Sequence, residues 1–404
     1  MQLPLDHVRR SFPGLEGDEL LLDNAGGSQT LGAVIDGVVD YLRACNVQHG
    51  ADYARSREAV RRVDLGKRAI ASLFGDAPGP VILGPSTTQI VFNLAAALAP
   101  GLRPGDEVIV TEADHEANVG AWRRLAGRGA VVKTWPLDRD RLVLDPAALA
   151  PLLSARTRLV CMTHCSNVLG TLHDVRAVAD LVHAAGARLF VDGVAFAPHA
   201  PVDVAALGVD GYVFSLYKVY GPHLAACWLD PDFFAGLANI NHDFLADAGA
   251  YRLEPGGVCY ELVAACAAIP AYLDALGRRL DPTAGDPRAR AWAAIAAHEA
   301  ALSARLLDFL RACPRVCVVG ETCPDRHVRV PTISFTVDGL HASEVPTLPG
   351  ARGVGIRWGD FYARGLVDAL GLRARGGVVR ASLVHYNTEG EVDRLIAALA
   401  PVVA

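Results

Sequence analysis

The chain has 404 residues, of which 51% are apolar and 20% are charged, and its formal net charge at pH 7 is −6. This composition excludes a disordered, collagenous or small disulfide-stapled protein, and the negative charge argues against binding to a phosphate backbone. We therefore expect a globular protein of two to three domains' length that binds no nucleic acid.

Targeting and metal signals are weak. Acidic and basic residues precede any apolar run at the start of the chain, so we predict no secretory leader and a cytoplasmic protein. The longest apolar stretch, 262–273, is too short to cross a membrane and contains Pro270. Nine cysteines fit reduced thiols, and the spacing of Cys313, Cys317, Cys323 and His327 misses the usual zinc patterns, so no metal site is expected.

The first part of the chain alternates between short β-rich runs and amphipathic stretches of helical length, which is typical of a sheet covered by helices. Strands are predicted at 81–83, 107–111, 131–135, 158–162, 188–192, 212–215 and 225–229. The clearest helix, 174–185, has Asp174 as its N-cap and Gly186 after its last turn.

The pattern changes after residue 260. Helices are predicted at 262–276 and 288–312, followed by strands at 316–319 and 332–337, a helix, and strands at 354–358 and 378–382. A capping box formed by Thr388 and Glu391 opens a final helix. We predict an N-terminal segment (1–19), a large α/β domain (20–270) and a small C-terminal α+β domain (285–404).

Two nucleotide-binding signatures can be set aside. The glycines at 79 and 84 have P-loop spacing, but Pro85 stands where the phosphate-binding lysine would be. No Gly-x-Gly-x-x-Gly motif follows an early strand, so a nicotinamide dehydrogenase is not indicated.

Lysine is rare in this chain: only three of the 38 basic residues are lysines, and one of them, Lys218, follows a predicted strand among hydroxyl groups. Asp192 ends another apolar strand, at the edge where open α/β sheets bind ligands. Pyridoxal phosphate needs a lysine for its Schiff base, an acid for its pyridine nitrogen, and hydroxyls and amides for its phosphate. Lys218, Asp192, Ser215 and Tyr217 could supply these groups; taken singly, Asp192 could equally be a turn residue and Lys218 a solvated loop lysine.

A series of motifs along the chain resembles, in order, the conserved blocks of class V aminotransferases, and most closely the cysteine desulfurases. The motifs are Asn24-Ala-Gly-Gly-Ser-Gln, Ser86-Thr-Thr-Gln, Asp114-His-Glu-Ala-Asn, Thr163-His-Cys-Ser-Asn-Val-Leu-Gly-Thr, Val191-Asp-Gly, Ser215-Leu-Tyr-Lys-Val-Tyr-Gly-Pro and Val379-Arg-Ala-Ser-Leu-Val-His-Tyr-Asn-Thr. The resemblance implies a fold type I pyridoxal-phosphate enzyme, with a large α/β domain built on a mainly parallel seven-stranded sheet, and a homodimer.

The resemblance also implies roles for individual residues. Lys218 would be the Schiff-base lysine and proton shuttle, Asp192 the partner of the pyridine nitrogen, and His115 the ring stacked on the cofactor. Asn167 would lie near the cofactor and the substrate, and Arg380 would bind the substrate α-carboxylate. The phosphate would be held by Thr87, Thr88 and Ser215, with Tyr217 nearby and the helix opened by Thr88 contributing its N-terminus.

Several positions depart from the cysteine desulfurase pattern. The segment from Arg357 to Tyr362 resembles the loop that carries the nucleophilic cysteine, but Tyr362 stands in the cysteine's place. Ala195 replaces a glutamine, Tyr217 replaces a histidine, and Gly257 lies where a threonine usually reaches the partner subunit's phosphate. We expect Arg357 and Tyr362 to face the substrate.

Three reactions on an α-amino acid or cysteine conjugate stay open at this stage. After an external aldimine and an α-carbanion form, the enzyme could eliminate a β-thiol (a C–S β-lyase), transfer the amino group, or epimerise the α-carbon. The β-lyase is preferred because it needs no persulfide-forming cysteine. A non-catalytic relative serving as a binding partner is the alternative of another class.

Overall fold

The computed structural model describes residues 3–283, 285–348 and 353–403. The helices are α1 (Leu5–Arg10), α2 (Gly32–Cys45), α3 (Ala54–Ala71), α4 (Thr87–Leu98), α5 (Gly120–Arg123), α6 (Pro146–Leu149), α7 (Val175–Ala184), α8 (Val204–Leu207), α9 (Pro231–Ala235), α10 (Tyr260–Ala265), α11 (Ala268–Leu280), α12 (Pro287–Ala312), α13 (Arg364–Ala369) and α14 (Glu389–Val403). The strands are β1 (Leu20–Leu21), β2 (Val81–Gly84), β3 (Glu107–Thr111), β4 (Val131–Trp135), β5 (Thr157–Thr163), β6 (Arg188–Asp192), β7 (Gly211–Ser215), β8 (Ala225–Leu229), β9 (Val316–Val319), β10 (Thr332–Val337), β11 (Val354–Gly355), β12 (Arg357–Gly359) and β13 (Val378–Ser382).

The largest sheet has seven strands in the order β2-β8-β7-β6-β5-β3-β4. Only β8 runs against its neighbours; every other adjacent pair is parallel. Every residue of β3, β7 and β8 is buried, as expected where helices cover both faces of a mainly parallel sheet. The predicted mainly parallel seven-stranded sheet is confirmed, with strand positions correct to within a residue or two.

A second sheet lies in the C-terminal part of the chain. Its four strands have the order β12-β13-β10-β9 and are all antiparallel. Leucines of α12 and α14, among them Leu306 and Leu395, form one buried cluster with Phe335 of strand β10. The predicted domain limits at 20, 270 and 285 stay a prediction.

The structure corrects two predicted elements of this C-terminal part. The predicted strand 354–358 is divided: β11 pairs with β1 in a parallel two-stranded ribbon, whereas β12 joins β13. The chain turns between them at Ile356, a buried residue. The helix predicted before it is absent from the described residues 338–348, which hold only a 3-10 turn at Val345–Thr347 that contains Pro346.

The apolar segment after residue 260 forms two helices, α10 and α11, rather than the single helix predicted. Pro270 has no amide hydrogen to donate to the carbonyl of Cys266, which explains the break just before it. In the described residues, Tyr260–Leu280 is the one stretch that is long and apolar enough to cross a membrane by length and composition. Core helices of soluble proteins pass the same test, and this stretch packs against α2, α3 and α12.

Candidate active site

The carboxyl ends of β5, β6 and β7 open into a cavity. All eight residues predicted to bind the cofactor line it, although they come from five separate segments of the chain. They are Thr87, Thr88, His115, Asn167, Asp192, Ser215, Tyr217 and Lys218. The position agrees with the general rule that open α/β sheets bind ligands at the carboxyl ends of their strands.

Lys218 ends the 3-10 turn that follows β7, and its side chain is 7% exposed. Within the described residues its ammonium group has no hydrogen-bond partner. Burial, and secondarily the positive charge of Arg380, lower the pKa of Lys218 to about 8, while Asp192 and Asp23 act in the opposite direction. Lys218 is thus a buried amine that is neutral far more often at neutral pH than an exposed lysine.

Asp192 is the last residue of β6, and its Oδ1 accepts a hydrogen bond of 2.8 Å from the backbone N–H of Val194. Burial raises the pKa of Asp192 to about 6, against the lowering effects of that hydrogen bond and of Lys218. The carboxylate is therefore mostly ionised at pH 7. It can pair with a buried cation such as a protonated ring nitrogen.

His115 caps a short 3-10 turn through its Nδ1, which accepts a hydrogen bond of 3.0 Å from the backbone N–H of Ala117. Its proton is consequently on Nε2. Burial, followed by the charges of Lys218 and Arg380, lowers the pKa of His115 to about 4. At neutral pH this ring is uncharged, which suits stacking on another aromatic ring.

The part of the cavity wall formed by the start of α4 and the end of β7 is rich in hydroxyl groups. Thr87 and Ser215 share a hydrogen bond of 2.8 Å. The helix α4 begins at Thr87, one residue before the predicted start, because Ser86 is its N-cap and accepts a hydrogen bond from Gln89. The free N–H groups of its first turn and these hydroxyls form a site suited to a phosphate.

Arg380 lies beside the cavity, on β13, and is 2% exposed. Its Nη1 donates to the backbone carbonyl of Asn167 (3.0 Å) and its Nη2 to Oδ1 of Asp23 (2.7 Å). Its Nε has no partner within the described residues. The exposed Arg357 reaches the other oxygen of Asp23 at 3.3 Å, so one carboxylate balances two guanidinium groups.

The loop after β12 covers Arg380. The ring centre of Phe361 lies 3.7 Å from the guanidinium carbon of Arg380. The backbone carbonyl of Phe361 accepts a hydrogen bond of 2.9 Å from Nδ2 of Asn167. Tyr362 is 71% exposed, and its ring centre is 5.4 Å from that of His115. Both Phe361 and Tyr362 have positive φ angles (50° and 61°), which non-glycine residues adopt only where other contacts hold them.

Two acidic residues of this region were not recognised as important from the sequence. Asp23 neutralises Arg380, although it directly precedes a quoted motif. Asp114 accepts hydrogen bonds from Thr111 (2.9 Å) and Asn118 (3.2 Å), and burial and the nearby Asp192 raise its pKa. For Asp114 the available signal was its place at the start of a motif, with partners three and four residues away. For Asp23 no local signal exists, because Arg380 is 357 residues away.

Cys165 is the one cysteine among the described residues that lines the cavity. Its thiol is fully buried, donates to the carbonyl of Gly170 at 3.5 Å, and has a pKa raised by burial. A thiol in this state is a poor nucleophile. The chain contains no cysteine after Cys323, so none can lie in the loop that carries Tyr362.

The fold and the site together define a fold type I enzyme. The family model for aminotransferase class V matches residues 20–223 and 289–395, and the chain belongs to this family. It is 43% identical over 98% of its length to the aminotransferase-like protein FGM3 of Gibberella zeae, covering 97% of that protein. It is 34% identical to the cysteine desulfurase-like protein ustD of Aspergillus flavus, covering 99% of this chain and 91% of that one. The crystal structure of the cysteine desulfurase CsdA from Escherichia coli superposes with a TM-score of 0.82 at 26% identity, covering 99% and 98% of the two chains.

Members of this family depend on pyridoxal phosphate, and the cavity fits that cofactor. A buried amine, an ionised carboxylate, a neutral imidazole and a hydroxyl-lined helix N-terminus line one space. Oδ1 of Asn167 is buried without a partner in the described part of the chain, as expected for a group that a ligand would satisfy. When bound, the cofactor supplies an electron sink for charge that develops at the substrate α-carbon.

Proposed function

We propose that this enzyme is a C–S β-lyase that cleaves cysteine conjugates without forming a protein persulfide. The observation that carries the proposal is the loop 360–363, which places Tyr362 beside His115 and holds no thiol. The name of the Aspergillus flavus relative supports chemistry at cysteine sulfur. The overall reaction converts a conjugate and water to pyruvate, ammonium and a free thiol.

The residues of the site would divide this work among them. Lys218 would attach the cofactor and then, with its pKa near 8, take the proton from the substrate α-carbon. Asp192 would hold the cofactor's ring nitrogen in its protonated form. Thr87, Thr88 and Ser215 would hold the phosphate, and His115 would stack on the ring.

Substrate binding would fall to groups at the cavity mouth. Arg380 would bind the α-carboxylate, with its unpartnered Nε as one available donor. Asn167 would orient the substrate near the cofactor, and Tyr362 and Arg357 would contact the group attached to sulfur. The positive charge of Arg380 is partly balanced by Asp23, which permits its burial.

Aminotransfer is the second candidate, since the relative with 43% identity is named aminotransferase-like. The two reactions differ in their products. Incubation of the holoenzyme with S-alkyl and S-aryl cysteines should release pyruvate and thiol in equal amounts. Accumulation of pyridoxamine phosphate without thiol would reject the lyase in favour of aminotransfer, and racemised substrate would indicate epimerisation.

Two properties complete the proposal. We place the enzyme in the cytoplasm because its nine cysteines, all within the described residues, are unpaired, as in a reducing compartment. We also propose a homodimer, because α2 presents the exposed apolar side chains Ile35, Val39 and Leu42 on one face.

A further inference from the structure

A second cavity, of about 840 Å³, lies apart from the proposed cofactor site. It is bounded by α12, by the segment that follows β6 and by the segment that precedes β10, and it shares no lining residue with the first cavity. A small apolar cluster of Cys165, Ala195 and Val330 separates the two. Its volume is within the range of natural small-molecule sites.

Part of the wall is aromatic and apolar. Trp292 of α12 and Phe196 both line the cavity, and Phe196 stacks on His164, another lining residue, with ring centres 3.7 Å apart. Ala296 and Ala300 lie one and two turns along α12 from Trp292 and leave the space open because their side chains are small. This wall suits a flat apolar group.

Three polar side chains at the cavity have a buried atom without a hydrogen-bond partner in the described residues: Thr171 through its hydroxyl, His173 through Nε2 and Glu299 through Oε1. Nδ1 of His173 accepts a hydrogen bond from the backbone N–H of Leu144 at 3.5 Å, so Nε2 carries the proton. Burial lowers the pKa of His173 to about 4, which keeps the ring neutral. The cavity therefore offers two donors that lack an acceptor.

Three arginines and three acidic residues line the cavity, so the pairing of each group decides what charge a ligand can carry. One oxygen of each acidic group has a partner: Oε2 of Glu299 pairs with His199 (2.9 Å), Asp174 caps α7, and Glu321 accepts from two backbone amides. The buried Arg329 donates to backbone carbonyls. Arg141 and Arg326 also line the cavity; both are exposed, and Arg141 contacts Asp145 only at 3.5 Å.

We propose that this second cavity is a binding site for a small carboxylic acid with an aromatic or aliphatic body. The body would lie against Trp292 and Phe196. The carboxylate would accept hydrogen bonds from Thr171 and His173, and Arg141 and Arg326 at the mouth would add positive charge. The proposal concerns binding alone and does not depend on which reaction the enzyme catalyses.

Titration of the cofactor-loaded protein with 2-naphthoate, followed by calorimetry and by quenching of tryptophan fluorescence that Trp292→Phe should reduce, tests this proposal. We expect one saturable site per chain and at least tenfold weaker binding of the cation 2-naphthylmethylamine. Ala296→Trp should fill the cavity and weaken 2-naphthoate binding at least tenfold. Ala297→Trp is the matched control, since Ala297 is exposed on the same helix and does not line the cavity.

Thr171→Val tests the polar end without changing the side-chain shape, and it should weaken 2-naphthoate binding about threefold to tenfold, as loss of one hydrogen bond does. Unchanged affinity in Ala296→Trp would overturn the proposal, because the acid would then bind elsewhere, for example near Arg380. Failure of 2-naphthoate to bind with saturation would also overturn it. Circular dichroism of each variant separates loss of binding from loss of folding.

Discussion

At the scale of single residues, the reactivity of the site depends on the balance of charge around Lys218. An amine attacks an aldehyde only in its neutral form. With a pKa of about 8, roughly a tenth of Lys218 is neutral at pH 7, against about 0.04% for an ordinary lysine with a pKa of about 10.4. Burial is the main cause of the lowered pKa of Lys218. Arg380 lowers this pKa further, whereas Asp192 and Asp23 raise it.

We therefore predict a specific pH dependence for cofactor attachment to the cofactor-free protein. The rate constant should rise about tenfold per pH unit below pH 8 and level off above it. Arg380→Gln removes a charge that lowers the pKa of Lys218 and should move the midpoint to higher pH. Asp192→Asn removes a charge that raises it and should move the midpoint to lower pH.

The measurement is stopped-flow absorbance during addition of pyridoxal phosphate across pH 6–10. Lys218→Ala is the control, in which no covalent attachment should form. A wild-type midpoint near pH 10 would contradict the buried, charge-tuned lysine. Movement of both variant midpoints in the same direction would contradict the assigned signs.

The contact between Phe361 and Arg380 gives a second residue-scale prediction. The ring lies 3.7 Å from a guanidinium carbon that is almost fully desolvated, a setting in which cation–π contacts are strongest. Phe361→Leu should therefore lower the free energy of unfolding by about 1–2 kcal/mol, measured by urea denaturation. Phe244→Leu, at a residue 82% exposed, should change it by less than about 0.5 kcal/mol. Equal effects of the two substitutions would refute the contact's contribution.

At the scale of elements, regular local signals were reliable and tertiary pairings were not. The strand ending at Asp192 and the capping box at Thr388 depend on nearby residues, and both lie where the sequence predicts them. The strand predicted at 354–358 is divided because β1 captures its first half, a partner more than 330 residues away. The pairing of Asp23 with Arg380 was missed for the same reason, since no local pattern joins positions 357 residues apart.

The capping box provides a test at this scale. Oγ1 of Thr388 accepts from the backbone N–H of Glu391 (3.1 Å), and Oε2 of Glu391 accepts from that of Thr388 (3.0 Å). Thr388→Ala should cost about 1 kcal/mol of stability, whereas Thr388→Ser should retain most of it because serine caps equally well. Chemical denaturation monitored by circular dichroism gives both values. If Thr388→Ser were as destabilising as Thr388→Ala, the methyl group rather than the cap would be responsible.

At the scale of the whole molecule, the site is assembled from segments that span most of the chain. Five of the ordered motifs contain eight of the residues that line the cavity, because these motifs lie next to the ends of strands or the start of α4 at one edge of the large sheet. The covering loop could not be predicted in the same way. Its conformation depends on Phe361 and Tyr362 at positive φ, held by Asn167 and by the backbone of Glu116.

The proposed homodimer can be tested at the exposed apolar stripe of α2. Ile35, Val39 and Leu42 lie four and three residues apart along α2, so they form one stripe on its surface. Their exposed fractions are 43%, 39% and 46%. Burial of such a stripe against a second copy would remove its apolar area from water.

The double substitution Val39→Glu and Leu42→Glu places two negative charges there and should convert the dimer to a monomer, measured by light scattering after size-exclusion chromatography. Val131→Glu, at an exposed apolar residue on the edge strand β4, should leave the dimer intact. A dimer that survives the double substitution would place the interface elsewhere, and a monomeric wild type would refute the dimer itself.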